Sequence, residues 1–377
     1  MSQVAPPAAR DAEPPEGHDT TWRDGLVRAP ESARRRLAAA ASAALPGAAR
    51  WTAVIGAGVV VYAVFLALQG ASPFAVLRAM AVSAAGSQTA IAETLVRATP
   101  LLLAALAVAV PARAGLFNIG GEGQLLMGAV SAMGAARLLD GALPPPLSLI
   151  ALALAGVAGG ALWALVVGVL RVFSSTSEAI SSLLLNYVAG LVLTWLVFGP
   201  WKDPGSLGQA YSRSLEGPER LPILWGHRFH LGVLIALAVA VGVWLLLRQT
   251  SWGFQLRIVG GNPEAARRAG LRVGELHLGA LLLGGALAGL GGMVELAGVE
   301  ARLRPDMLFG FGFVGFLASW LARHHALKAV AAAVVLGAIA VGGNGLKLAS
   351  GLSGSAVNIL MAVLLLAVLG WAPGRSR

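Results

Sequence analysis

The sequence predicts an all-α, polytopic membrane protein with about ten transmembrane helices and both termini in the cytoplasm. Three observations carry that prediction. Hydrophobic residues make up 57% of the 377-residue chain and charged residues 12%, about half the charged share of a soluble domain, and mean hydropathy is +0.75. From residue 53 onward, apolar runs near the ~20 residues needed to cross a bilayer alternate with short polar segments. Most of the basic residues fall at the ends of those runs on one set of connections, as the positive-inside rule asks of the cytoplasmic face. The net charge of +10 therefore reports topology, and nucleic acid is not a partner. The chain has no cysteine, which excludes disulfides and thiolate metal sites.

Taken in order, residues 1–50 read as a disordered basic cytoplasmic tail. Pro6, Pro7, Pro14 and Pro15 stand among charges, without the apolar core of a signal peptide. Within the tail, residues 31–45 carry Arg34, Arg35 and Arg36 and predict a short helix held at the membrane surface. The transmembrane domain covers 51–373. Its first span is 53–69. Residues 70–93, interrupted by Pro73, Arg78 and Gln88, predict an external loop with a short interfacial helix. The second span, 95–110, ends at Pro111 and Arg113. The third runs to about residue 138, followed by spans at 146–171 and 178–198. Four prolines and several glycines in 199–229 predict an external loop. The sixth span, 229–247, leads into a cytoplasmic loop at 248–275. Spans at 276–298, 308–322, 326–346 and 355–371 complete the domain.

The third span starts inside Gly-Leu-Phe-Asn-Ile-Gly-Gly-Glu-Gly-Gln-Leu-Leu-Met-Gly-Ala, residues 115–129. Lipid cannot accept Asn118, Glu122 and Gln124, because each unsatisfied polar group in hydrocarbon costs several kcal/mol. The stretch must face protein or water inside the bundle. Such groups either glue helices together or line a polar path. The other polar or aromatic groups placed within spans are Asn186, Tyr187 and Glu295.

The second informative stretch is in the 248–275 loop. Asn262 is a helix cap, Pro263 a first helical residue and Glu264 a first-turn anion. Ala265, Ala266 and Ala269 make a small apolar face, and Gly270 stops the helix. The product is a two-turn helix, capped at both ends, which is marginal alone. It is either a structured connector or a docking element. In the seventh span, the Gly285-Ala286-Leu287-Ala288-Gly289 pattern permits a close helix crossing, static or sliding.

Residues 115–129 resemble the hallmark segment of the permeases of ATP-binding-cassette importers, in the nucleoside and simple-sugar branch of the branched-chain amino acid and ribose type. The loop Gly-x-Asn-Pro-x-Ala-Ala-x-x-Ala-Gly, residues 260–270, resembles the coupling loop of the same family, with Arg268 where many relatives carry an aromatic residue. A third likeness, over residues 310–326, is looser: Ala322 and Ala326 stand at positions of Gly and Pro, and Ser319-Trp320 interrupts the apolar run. The resemblance covers roughly residues 50–372 and favours the larger permease of a two-permease nucleoside system, a homodimer being the alternative. It implies a multi-pass protein of the plasma membrane, with a cytoplasmic ATPase, a second permease chain, an extracytoplasmic binding protein and membrane lipid as partners, and no cofactor. On this reading Asn118, Glu122, Gln124, Asn186, Tyr187 and Glu295 are candidates for the substrate pathway. The resemblance assigns Asn262, Pro263, Glu264, Ala265, Ala266 and Gly270 to ATPase coupling.

The chain has no G-x-x-x-x-G-K-[ST] and no H-E-x-x-H, so any ATP hydrolysis belongs to a separate subunit and no metal site is indicated. Ser319 lies close in sequence to His324 and His325, but a serine protease needs a nucleophile turn and a histidine on another element. The competing class is an ion-driven carrier using Glu122, Glu178 and Glu295 as proton sites. A passive channel is the third. Neither of these needs an ATPase dock.

Overall fold

The computed structural model describes residues 47–174, 176–206, 208–225, 228–350 and 355–371. The predicted tail and its 31–45 helix lie outside these residues, apart from the first turn of α1. The elements are α1 (Gly47–Leu68), α2 (Pro73–Ala85), α3 (Gln88–Arg113), α4 (Gly121–Leu139), α5 (Pro145–Ser174), α6 (Glu178–Phe198), β1 (Ile223–Trp225), β2 (Phe229–His230), α7 (Gly232–Gln249), α8 (Ser251–Gly261), α9 (Pro263–Arg268), α10 (Val273–Glu295), α11 (Phe311–Leu321), α12 (Ala326–Ser350) and α13 (Ser355–Trp371). Each of the ten predicted spans falls on a helix. Among the described residues, six helices are long and apolar enough to cross a bilayer unaided, or seven if α1 and α2, bent by 117° to each other, make one broken span. The count is below ten for a physical reason: α4 opens on polar residues, α13 has 17 residues, and α11 has 11, about half of what a straight span needs.

Two predicted boundaries move. Residues 70–93 are largely helical rather than a loop: Pro73 opens α2, and Ser87 caps α3 by accepting the Ala90 N–H at 3.1 Å. Pro111 does not end α3, which continues to Arg113. The Pro111 carbonyl then closes the chain by accepting the N–H groups of Ala114 and Leu116. The loop at 248–275 is also mostly helical, as α8 and α9.

α3 and α10 form the interior, with 83% and 78% of their spans buried; α5 and α7, at 33%, leave most of their surface for lipid. α10 packs on α5, α4 and α3. The contact with α5 sets Gly285 and Gly289 against Gly156 and Gly160, a G-x-x-x-G crossing on both partners. A Cβ at Gly289 would fall within the carbonyl oxygen of Gly156, and one at Gly160 within that of Gly285. The backbones are in direct contact, which only glycine permits.

The 199–229 loop is ordered by backbone pairing. Its Leu215 and Leu221 N–H groups donate to Ala301 and Ala297 at 2.7 and 3.0 Å, and Ser212 exchanges two bonds with Leu303. Buried Glu219 receives a two-pronged bond from Arg213 at 2.8 and 3.3 Å. The loop ends in a two-stranded antiparallel hairpin, β1–β2, the one departure from an all-α description among the named elements. His230 on β2 is buried and accepts the Gly232 N–H through Nδ1 at 3.1 Å; burial, then the charges of Arg228 and Arg220, hold its pKa down at about 4.

Candidate functional site

Between α3 and α4 the chain leaves the helix at Gly115 (φ +79°) and re-enters it at Gly121. The backbone groups exposed by that break must find partners, since water is scarce at this depth. α6 supplies them from one face. Glu178, Ser182 and Asn186 lie four residues apart, so they stack along the helix. Glu178 Oε1 accepts the Phe117 N–H at 3.2 Å and Ser182 Oγ accepts the Ile119 N–H at 3.2 Å. Asn186 accepts the Gly123 N–H at 2.8 Å and donates to the Ile119 carbonyl at 3.0 Å. Arg171, at 3.3 Å, neutralises Glu178.

Inside this cradle Asn118 and Gln124 form a reciprocal amide pair, at 2.9 and 3.0 Å. Asn118 also donates to the Ala107 carbonyl at 3.1 Å and accepts the Gly120 N–H at 3.2 Å. Its two donors and both acceptor positions are therefore filled. Glu122 reaches the other way. Its Oε1 accepts the Gly310 N–H at 2.9 Å, at the N-terminus of α11, where the helix dipole favours an anion. Its Oε2 is buried against the first turn of α11, where the Gly312 and Phe313 N–H groups also face the carboxylate.

Of the six predicted pathway residues, the structure brings Asn118, Glu122, Gln124 and Asn186 into one buried cluster. Tyr187 points away from it and is 69% exposed. Glu295, on α10, is buried 3.9 Å from Arg97, whose guanidinium lies 4.1 Å over the Phe311 ring. Phe311 follows Gly310, so the Glu295 and Glu122 sites meet across the start of α11. Sequence reasoning missed Arg97 and the positioning roles of Glu178 and Ser182. The i, i+4, i+8 spacing of Glu178, Ser182 and Asn186 was the available signal.

Asn186→Leu would leave the Gly123 N–H and the Ile119 carbonyl buried and unpaired, at about 1–3 kcal/mol each. The expected result is a fall in melting temperature of roughly 5–10 °C in detergent, measured against wild type. An unchanged melting curve would mean that the cradle does not hold the segment.

The capped helix α9 forms as the residues dictate. Asn262 Oδ1 accepts the Ala265 N–H at 3.0 Å, Pro263 takes the first position, and Gly270 adopts φ +84°. Of its alanines only Ala266 is buried; Ala265 and Ala269 are exposed. Glu264 pairs with Arg267 at 2.6 Å and Arg268 at 3.2 Å, all three exposed. The helix is thus anchored by one small residue and presents a charged, unoccupied surface. Behind it, Gly260 of α8 lies against the Arg113 carbonyl and Gly115, so a Cβ at Gly260 would stand 3.0 Å from the Gly115 nitrogen. The α8–α9 unit is seated on the first residue of the 115–129 segment.

Near the same end, Ser319 Oγ and His324 Nδ1 are 3.0 Å apart. Ser319 is fully buried, and consecutive left-handed residues Arg323 and His324 reverse the chain there. The pair closes the α11–α12 turn.

Comparison with known proteins agrees with this architecture. Residues 90–369 match the profile of the family described as branched-chain amino acid transport system / permease component. The chain is 37% identical over 292 residues to the glucose ABC transporter permease protein TsgB13 of Haloferax volcanii, covering 74% of this chain and 76% of that one. It is 34% identical over 283 residues to the guanosine ABC transporter permease protein NupP of Bacillus subtilis, covering 74% and 80%. With the nucleoside ABC transporter permease protein NupB of Lactococcus lactis it shares 28% identity over 274 residues, covering 70% and 75%. The polar break, the glycine crossing and the capped helix all lie within the matched region. This multi-pass protein of the plasma membrane therefore belongs to the branched-chain amino acid transport system / permease component family.

Proposed function

We propose that this chain is the membrane-spanning subunit of an ATP-driven importer that moves nucleosides across the plasma membrane. The observation that carries the reading is the likeness, over about three quarters of the chain, to permeases named for guanosine and nucleoside transport. α9 supports the drive mechanism, since an exposed helix capped at both ends suits the groove of a partner. ATP is hydrolysed by a separate cytoplasmic subunit that engages Asn262, Pro263, Glu264, Ala265, Ala266 and Gly270. A second permease chain completes the path, and an extracytoplasmic binding protein delivers the solute.

The buried cluster assigns two kinds of work. Asn118, Gln124 and Asn186 use their hydrogen-bonding capacity on the protein, so their part in transport is to hold the break between α3 and α4 in shape. Glu122 and Glu295, buried carboxylates at the start of α11, and, away from them, the exposed Tyr187 are the remaining candidates to meet a solute. A nucleobase can stack on the tyrosine ring, and ribose hydroxyls pair with carboxylates. A simple sugar is the second reading, favoured by the 37% identity to the glucose permease.

The test is uptake of labelled guanosine and glucose by cells making this chain with its genomic neighbours, with and without vanadate or an ATPase-dead partner. Guanosine uptake that collapses when hydrolysis is blocked is the expected result. Glucose uptake alone would move the assignment to sugars. Uptake that ignores the ATPase but falls with an uncoupler would replace the importer by an ion-driven carrier.

A further inference from the structure

At the end of the helices that carries α8 and α9, a cleft of about 240 Å³ opens between α3, α7, α8 and the start of α12. Arg113, Arg248, Arg257 and His325 line it, with Trp244 at its wall, and no acidic side chain does. Each of these four side chains comes from a different element, so the fold, not a local sequence run, gathers three guanidinium cations and an imidazole. Like charges brought together without a counter-charge repel one another and are retained at a cost.

The partners of these groups are informative. Arg113 donates through Nη2 to the His324 carbonyl at 3.0 Å, and its Nε is buried without a partner. Arg257 donates to the Leu247 carbonyl. The Arg248 guanidinium lies 5.3 Å over the Trp244 ring and touches no carboxylate. His325 Nδ1 is buried and unpartnered. Among the described residues none of the three arginines joins an ion pair. Burial, then the charges of Lys328 and Arg113, hold the His325 imidazole below its usual range. The cleft thus gathers three guanidinium groups without a carboxylate partner, beside an imidazole held toward its neutral form.

Its surroundings say which anion. A guanidinium fork pairs bidentately with phosphate or carboxylate oxygens, and a phosphate group, with more oxygens, can engage several forks at once. The apolar surface beside the cleft is exposed: Leu245 on α7, Phe254 and Ile258 on α8, and Leu327 on α12. Phe254 lies 6.0 Å from the Arg257 guanidinium, so apolar and cationic surfaces are continuous. A tryptophan at such a border is the usual membrane-interface anchor. The charge bias of the sequence puts this end on the cytoplasmic side, where basic pockets between helices hold anionic head groups.

We propose that the cleft binds a phosphate group, presented by the headgroup of an anionic phospholipid whose acyl chains lie on the apolar flank of α7 and α8. The site goes beyond the transport reading and does not depend on which solute is carried. It would brace α8, and through Gly260 the start of the 115–129 segment, against the membrane surface.

The test uses the full-length chain, purified in mild detergent and exchanged into nanodiscs of phosphatidylglycerol or of phosphatidylcholine. Bound lipid is counted by native mass spectrometry, and affinity is read by titrating a fluorescent phosphatidylglycerol. Wild type is expected to retain phosphatidylglycerol under conditions that strip phosphatidylcholine, less so at high salt. Arg248→Gln, whose side chain supports no backbone group, should bind phosphatidylglycerol about tenfold more weakly while melting as wild type does. Arg248→Lys should keep most of the affinity. Equal retention of the two lipids, or unchanged affinity in Arg248→Gln, would overturn the proposal. Displacement of the lipid by millimolar inorganic phosphate would overturn the lipid source and leave a free-anion site.

Discussion

Gly289→Leu is expected to remove the folded protein from the membrane. At this position α10 lies directly on α5: the Cβ that leucine adds would overlap the Gly156 carbonyl and stand 2.9 Å from Gly160 Cα. Neither neighbour is the tip of a flexible side chain, so relief requires the helices to separate. Separation would pull Gly285 off Gly160 and Gly289 off Gly128 of α4, because one turn of α10 touches both partners. Overpacking usually costs about 1–3 kcal/mol where side chains can move. Here the clash is with main chain, and the loss should exceed that range, enough to unfold a protein of ordinary marginal stability. The measurement is the monodisperse fraction on detergent gel filtration, with Gly242→Leu as control. A Cβ at Gly242 meets nothing within 4 Å. Equal recovery of the two variants would show that the crossing is looser than the structure has it.

The second large effect is on activity rather than on folding. Glu264→Arg is expected to leave the protein inserted, with a melting temperature within a few degrees of wild type, and to reduce ATP-driven uptake by more than about tenfold. Glu264 is exposed, and its pairs with Arg267 and Arg268 are surface pairs within one short helix; such pairs stabilise by about 0.3–0.5 kcal/mol each. The fold does not rest on them. The substitution nevertheless places three arginines on six residues and puts a cation at the positive end of the helix dipole. A docking surface that alternates in sign becomes uniformly basic. Normal uptake by Glu264→Arg, with the protein present at wild-type level, would remove α9 from the coupling role. Loss of uptake together with loss of protein would instead mark α9 as a folding element.

Much of this molecule was legible in the residues because lipid imposes simple rules. Apolar runs placed a helix at each of the ten predicted spans, since in lipid a single segment satisfies its own backbone only as a helix. The caps of α9 were legible to the residue: Asn262, Pro263 and Gly270 act through local backbone chemistry that needs no tertiary partner. The polar character of 115–129 was legible too, and it identified the stretch on which α6, α11 and α8 converge. Where local reasoning went astray, packing had decided. Residues 70–93 form helices because α2 rests on α12, where Gly342 and Gly345 let the α2 backbone approach. Pro111 stays helical because the residues before it in α3 are buried, and the Ala107 carbonyl left without a proline N–H accepts from Asn118 Nδ2 instead.

What the amino-acid sequence determined by itself is therefore the class of molecule, the positions of its helices and the two stretches that matter. What only the tertiary structure decided is how the polar groups divide. Asn118 and Gln124 satisfy each other, Asn186 serves the backbone of another helix, and Glu122 turns toward the N-terminus of α11 and accepts the Gly310 N–H. Arg113 meets Arg248 and Arg257, which lie far along the chain from it, around one cleft. The reason is the range of the forces. Hydrophobicity and helix capping act over a few residues and can be read along a chain. The partner of a buried hydrogen bond or charge is fixed by which helices cross, and that depends on contacts between residues far apart in the chain, 63 positions for Gly123 with Asn186 and 188 for Glu122 with Gly310.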